Sequence, residues 1–133
     1  MDKKDNTSEV TGIGGVFFTS SNPNKLKEWY TKNLGLDLDE HGIQFRFREH
    51  DDPDKEGIIQ WSIFSENSDY FAPSNSGFMI NYRVQNIETL VESLREKGVQ
   101  IVDSIQSYPY GKFVHVLDSD NNKIELWEPP TSF

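Results

Sequence analysis

The chain has 133 residues, 13 Lys and Arg against 22 Asp and Glu, a formal net charge of -9 and no cysteine. That length fits one domain or two small halves sharing a core, and the missing thiols exclude disulfides, thiolate metal sites and cysteine nucleophiles. The acidic balance counts against nucleic acid, because phosphate binding draws on basic patches. No apolar stretch nears the roughly 20 residues needed to cross a bilayer, and the start, lacking a signal-peptide core, predicts a cytoplasmic protein.

Residues 1–10 are polar and read as a mobile tail, with a chance sequon at Asn6-Thr7-Ser8. A strand is predicted over Ile13 to Phe18, followed by Asn22-Pro23, an Asx cap with Pro at the first helical position. Leu26, Trp29, Tyr30 and Leu34 then recur at helical spacing up to Gly35, a natural stop. Ile43, Phe45 and Phe47 alternate with Gln44, Arg46 and Arg48, predicting a strand. In a further strand over Ile58 to Phe64, Ile59, Trp61 and Ile63 face away from Gln60 and Ser62. A polar connector carrying Tyr70 and Phe71 follows.

The order then recurs. Phe78 to Val84 alternates, setting Phe78, Ile80, Tyr82 and Val84 against Met79, Asn81 and Arg83. Asn86 is the expected cap of a second helix, with the stripe Ile87, Leu90, Val91 and Leu94, ended by Gly98. Val99 to Ile105 is predicted as a strand and Tyr108-Pro109-Tyr110-Gly111 as a loop. Phe113 to Leu117 and Lys123 to Glu128 form a hairpin around Asp118 to Asn122. Asn22 and Asn86 lie 64 residues apart, as do Leu26 and Leu90, whereas Gln60 and Glu125 lie 65 apart. The chain is therefore an internal duplication. Its expected class is α+β, with two βαβββ modules pairing so that their sheets line a cleft. Module one spans about 12–66, the connector 67–76 and module two about 77–129, within one domain over 11–131.

Such a repeat resembles the vicinal oxygen chelate superfamily, which includes glyoxalases, bleomycin-resistance proteins and extradiol dioxygenases. Trp29-Tyr30 followed by Leu34-Gly35-Leu36 resembles the family's first-helix ending. Asp118 to Pro129 (DSDNNKIELWEP) is similar to its terminal signature, with Ser119 and Asn121 in place of the usual Pro and Gly. The resemblance implies the glyoxalase-like fold, a small-molecule ligand and, as is frequent in the family, a homodimer. Metal-using members chelate a divalent ion at positions that map onto Gly15, Gln60, Met79 and Glu125. Gly has no side chain and a thioether is a poor ligand for a hard cation, so no cofactor is expected.

By alternation Glu125 should point into the cleft. It is either a general base whose pKa burial raises or a carboxylate tied to Arg83 or Gln60. His115 pairs with Glu125 if the turn centres near Asp120, and otherwise is a half-exposed strand histidine. Arg83 could anchor a ligand anion or balance nearby acids. Phe17, Gln60, Met79, Arg83, Phe113 and Trp127 are the expected ligand-binding residues, while Trp29, Trp61 and Tyr82 read as core. Two functions follow. One is a binding protein with a metal-free aromatic cleft. The other is a metal-dependent lyase or isomerase with Glu125 as base and a divalent metal held by Glu125, Gln60 and His115.

Overall fold

The computed structural model describes residues 9–131, so the expected tail and sequon over residues 1–8 lie outside the described residues. Asn22 Oδ1 accepts from the Lys25 N–H at 3.2 Å and Gly35 adopts φ 72°, so α1 (Pro23–Leu34) starts and stops where its cap residues predict. It follows β1 (Val10–Ser20) and precedes β2 (Ile43–Arg48) and β3 (Glu56–Ser65). The second half runs β4 (Phe78–Val84), α2 (Ile87–Glu96), β5 (Gln106–Tyr108), β6 (Gly111–Leu117) and β7 (Lys123–Glu128). The first module has one strand fewer than expected, residues 37–42 contributing only an Asp39–Gly42 bridge.

All seven strands join one sheet in the order β2-β3-β1-β4-β7-β6-β5. The modules meet where β1 runs antiparallel to β4. Each module also pairs its first strand in parallel with its last, β1 with β3 and β4 with β7. Both helices pack on one face. Ile87 and Val91 of α2 join Val84, Val114, Val116 and Leu126 in a buried cluster, and each fully buried aliphatic side chain contributes about 1.5–3 kcal/mol. Under α1, Phe18, Tyr30 and Trp61 meet edge to face. The alternate residues of the same strands, among them Phe17, Asn81, His115 and Glu125, therefore face away from the helices.

Several expectations fail here for identifiable reasons. Trp29 is not core; it is 51% exposed, because its neighbour Tyr30 takes the inward direction on α1. Asn86 does not cap α2 with its side chain; it sits at φ 54°, and the Ile87 N–H donates instead to Glu128 Oε1 at 2.7 Å. Val99 to Ile105 is not a strand. Only Ile101 bridges β6, and the chain leaves the ladder at Asp103, whose carboxylate accepts the His115 N–H at 2.8 Å in place of a backbone carbonyl. Tyr108 ends β5 rather than lying in a loop.

Candidate functional site

The register centres the site. Gly15 lies opposite both Gln60 and Asn81, Asn81 opposite Glu125, and Glu125 opposite His115. The expected pairing of His115 with Glu125 is therefore present, and the histidine is buried rather than half-exposed. Asn81, not Met79, is the counterpart of Gly15. The helix-based offset misleads because Asn22 follows Gly15 by seven residues and Asn86 follows Asn81 by five. β1 thus overruns the shared position by two residues before turning into its helix. Met79 lies opposite Phe17 instead, fully buried against Phe17 and Phe71, where it has no surface left for a ligand.

Glu125 is 3% exposed and every partner it has is a donor. Asn81 Nδ2 donates to Oε1 at 2.7 Å; His115 Nε2 lies 2.8 Å from Oε2, and the Tyr70 hydroxyl donates to the same oxygen. His115 Nδ1 in turn lies 2.7 Å from Asp103 Oδ2. The imidazole is held between two carboxylates, and both favour its charged form. Burial pushes the His115 pKa down, but the hydrogen bonds to Glu125 and Asp103 outweigh it and the net shift is upward. Burial likewise pushes Glu125 up, and the bonds from His115, Tyr70 and Asn81 outweigh it and hold the carboxyl below its ordinary range. That is opposite to the raised value expected of a general base. The Tyr70 phenol is pushed far up by burial and then by the Glu125 charge, so it stays a donor.

Tyr70 and Asp103 have no counterpart among the expected site residues. Tyr70 comes from the connector, pinned by Lys123 Nζ on its carbonyl at 2.6 Å and by neighbouring Phe71, which is 4% exposed. Asp103 is the residue at which the chain leaves β6. Polar loop residues have no periodicity to announce them; the aromatic pair inside a polar connector was the one available signal.

Beside the network is a cleft of about 460 Å³ lined by Phe17, Glu40, His41, Gln60, Ser62, Phe64, Tyr70 and Glu125. Phe64 and Tyr70 lie parallel, their centroids 5.6 Å apart, as one wall. Along the same face of β3, Gln60 Nε2 and Ser62 Oγ both donate to the His41 carbonyl, at 2.9 and 2.6 Å. Three expected ligand contacts lie elsewhere. Trp127 stacks on Phe113 with centroids 6.1 Å apart and donates to the Tyr110 carbonyl, away from this cleft. Arg83 pairs with Glu49 through its two terminal nitrogens, both 3.4 Å from the carboxylate, leaves its Nε buried without a partner, and lies over the Phe47 ring. The structure brings Phe17, Gln60 and Glu125 together and leaves Met79, Arg83, Phe113 and Trp127 out.

Gly14 leaves room for the Asn81 and Trp127 side chains. It occupies a bulge between Ile13 and Gly15, and a Cβ there would lie 2.3 Å from Asn81 Oδ1 and 2.8 Å from the Trp127 ring. Asn81 Oδ1 itself is buried without a hydrogen-bond partner, because its amide turns the NH2 toward the carboxylate.

A family model described as the Glyoxalase/Bleomycin resistance protein/Dioxygenase superfamily matches residues 12–126. The chain belongs to that superfamily. Several solved structures share its fold. Methylmalonyl-CoA epimerase from Mycobacterium tuberculosis is 22% identical with a TM-score of 0.60, covering 93% of this chain and 91% of that one. A variant of the Streptomyces coelicolor methylmalonyl-CoA epimerase, bound to 2-nitronate-propionyl-CoA, is 13% identical with a TM-score of 0.67, covering 93% and 98%. The Mn(II)-bound glyoxalase from Novosphingobium aromaticivorans is 15% identical with a TM-score of 0.61, and this chain spans 40% of its length. No curated protein matches the sequence.

Metal use in the superfamily raises the question whether a cation fits these residues. It does not. Amide, imidazolium and phenol donors surround a carboxylate as they would any anion, and Asn81 presents its NH2 rather than its oxygen. Gln60 leaves only one neutral amide oxygen free, its NH2 being held by the His41 carbonyl. Among the described residues no group of three or more His, Asp or Glu side chains is arranged to hold a metal ion.

Proposed function

We propose that this superfamily member binds a small organic molecule in the cleft between β3 and the connector, without a resident metal. Glu125 is then a fixed hydrogen-bond acceptor rather than a base. One observation carries the reading: the chain's own donors occupy both oxygens of the Glu125 carboxylate. A carboxylate so held has little basicity at neutral pH, since a useful general base has a pKa near the working pH. The walls match the usual make-up of ligand sites, apolar surfaces with a few placed polar groups.

Metal analysis of the purified protein followed by titration with Mn²⁺, Ni²⁺ and Zn²⁺ tests this. The expected result is no stoichiometric tight binding and no rise in melting temperature with any ion. Stoichiometric binding that Glu125→Gln abolishes would overturn the reading in favour of a metal-dependent lyase or isomerase.

A further inference from the structure

The hydrogen-bonding groups around the cleft are unevenly used, and this points to the class of ligand. The His41 carbonyl can only accept, which fixes Gln60 with its NH2 turned toward it and shared with Ser62 Oγ at 3.2 Å. The Ser62 hydroxyl is spent on the same carbonyl, and the Tyr70 hydroxyl is spent on Glu125. What remains are chiefly acceptors, the Ser65 hydroxyl, which accepts from the Asn67 N–H, being the exception. Gln60 Oε1 has no partner among the described residues, Glu125 keeps lone pairs beyond its three donors, and the Glu40 carboxylate stands at the rim. The one ring donor at the rim, His41, is 82% exposed and lies 3.5 Å from Glu40. Neither nearby cation is at liberty to meet an anion: His115 is held between Asp103 and Glu125, and Lys123 bonds the Tyr70 carbonyl. The Asp103–His115–Glu125 group carries a net charge of one negative unit, and Glu40 adds another.

We infer that the cleft selects flat molecules that present N–H or O–H donors and are neutral or cationic, and that it rejects carboxylates and phosphates. The inference rests on the proposed small-molecule site and deepens it. The flat shape follows from the parallel Phe64 and Tyr70 rings, with Phe17 packed edge-on against Phe64, and the donor requirement from Gln60 Oε1 and the carboxylates. An anion entering here would meet two negative charges, with only the Ser65 hydroxyl and the exposed His41 ring left as donors. Burying it so would cost more than the ring contacts return.

The test uses four benzene derivatives of matched size, benzamidine, benzamide, benzoate and phenyl phosphate, with the full-length protein. Thermal shift and saturation-transfer NMR read the binding. Benzamidine and benzamide are expected to bind at least tenfold more tightly than benzoate, with phenyl phosphate undetected. Gln60→Met, which keeps the volume and removes the acceptor, should weaken benzamide about three- to tenfold, the size of one hydrogen bond. The variant also loses the bond to the His41 carbonyl, so an unchanged far-ultraviolet circular dichroism spectrum, rather than an unchanged melting temperature, would show that the fold is intact. Benzoate or phenyl phosphate binding as well as benzamide overturns the donor selectivity while leaving a binding cleft. Failure of all four probes overturns the cleft as a ligand site, and the selectivity with it.

Discussion

Replacing Glu125 by Gln takes the charge out of the network while keeping its shape. The side chain is 4% exposed, so its partners cannot turn to water. Removing one partner of a buried pair costs about 3–5 kcal/mol. Gln retains an oxygen for one donor, so the lower end applies, about 3 kcal/mol and a fall of about 10 °C in melting temperature for a domain of this size. The loss depends on pH in a defined way. The raised His115 pKa gives stability that is whole below the ordinary histidine value of 6.5 and fades as pH rises through the folded value. The lowered Glu125 pKa gives stability that is whole above the ordinary 4.5 and fades as pH falls through the folded value. Urea denaturation of both proteins from acid to alkaline pH should therefore show the widest gap between those two values, narrowing on either side. A gap under about 1 kcal/mol inside that window, smaller than one charged hydrogen bond, or a gap independent of pH, would refute the ion pair.

Other perturbations separate the parts of the site. Tyr70→Phe removes one donor from Glu125 and should cost about 1–3 kcal/mol, read by denaturation. An unchanged midpoint would show that the connector contributes nothing to the network. Gly14→Ala drives a methyl to 2.3 Å from Asn81 Oδ1; overpacking of that kind costs about 1–3 kcal/mol, and calorimetry should show the loss. Met79→Ala at a fully buried position should cost about 2–5 kcal/mol yet leave fragment binding in the cleft unchanged, since Met79 does not line it. Asn22→Ala should cost about 1 kcal/mol through the lost cap bond to Lys25, measured as a shift in urea midpoint at constant slope.

Much of this architecture could be read from residue order because local physics sets it. Asn22, Pro23 and Gly35 bound α1 by capping chemistry that needs no tertiary context. Alternation in residues 78–84 and 123–128 gives the inward faces, and the five-residue turn at 118–122 fixes the register that joins His115 to Glu125. Properties set by distant chain were harder to read. The equivalence of Asn81 with Gly15 depends on how far each strand runs past the shared position, which caps cannot report. Phe113 and Trp127 alternate inward as expected, but one strand face is long enough to hold two separate clusters. Tyr70 and Asp103 reach the site from irregular segments, one held by Phe71 and Lys123 and the other by backbone bonds to His115. The direction of the Glu125 shift follows from those same residues, so burial alone pointed the wrong way.

The central claim is that the protein's own donors hold the Glu125 carboxylate, with His115 charged beside it. Long-range proton–nitrogen NMR of the His115 ring, recorded through neutral pH with and without one equivalent of Ni²⁺ or Zn²⁺, tests it directly. The account predicts imidazolium shifts persisting above the ordinary histidine pKa and unmoved by either ion. A neutral ring at neutral pH, or ring-nitrogen shifts that follow added metal, would contradict it.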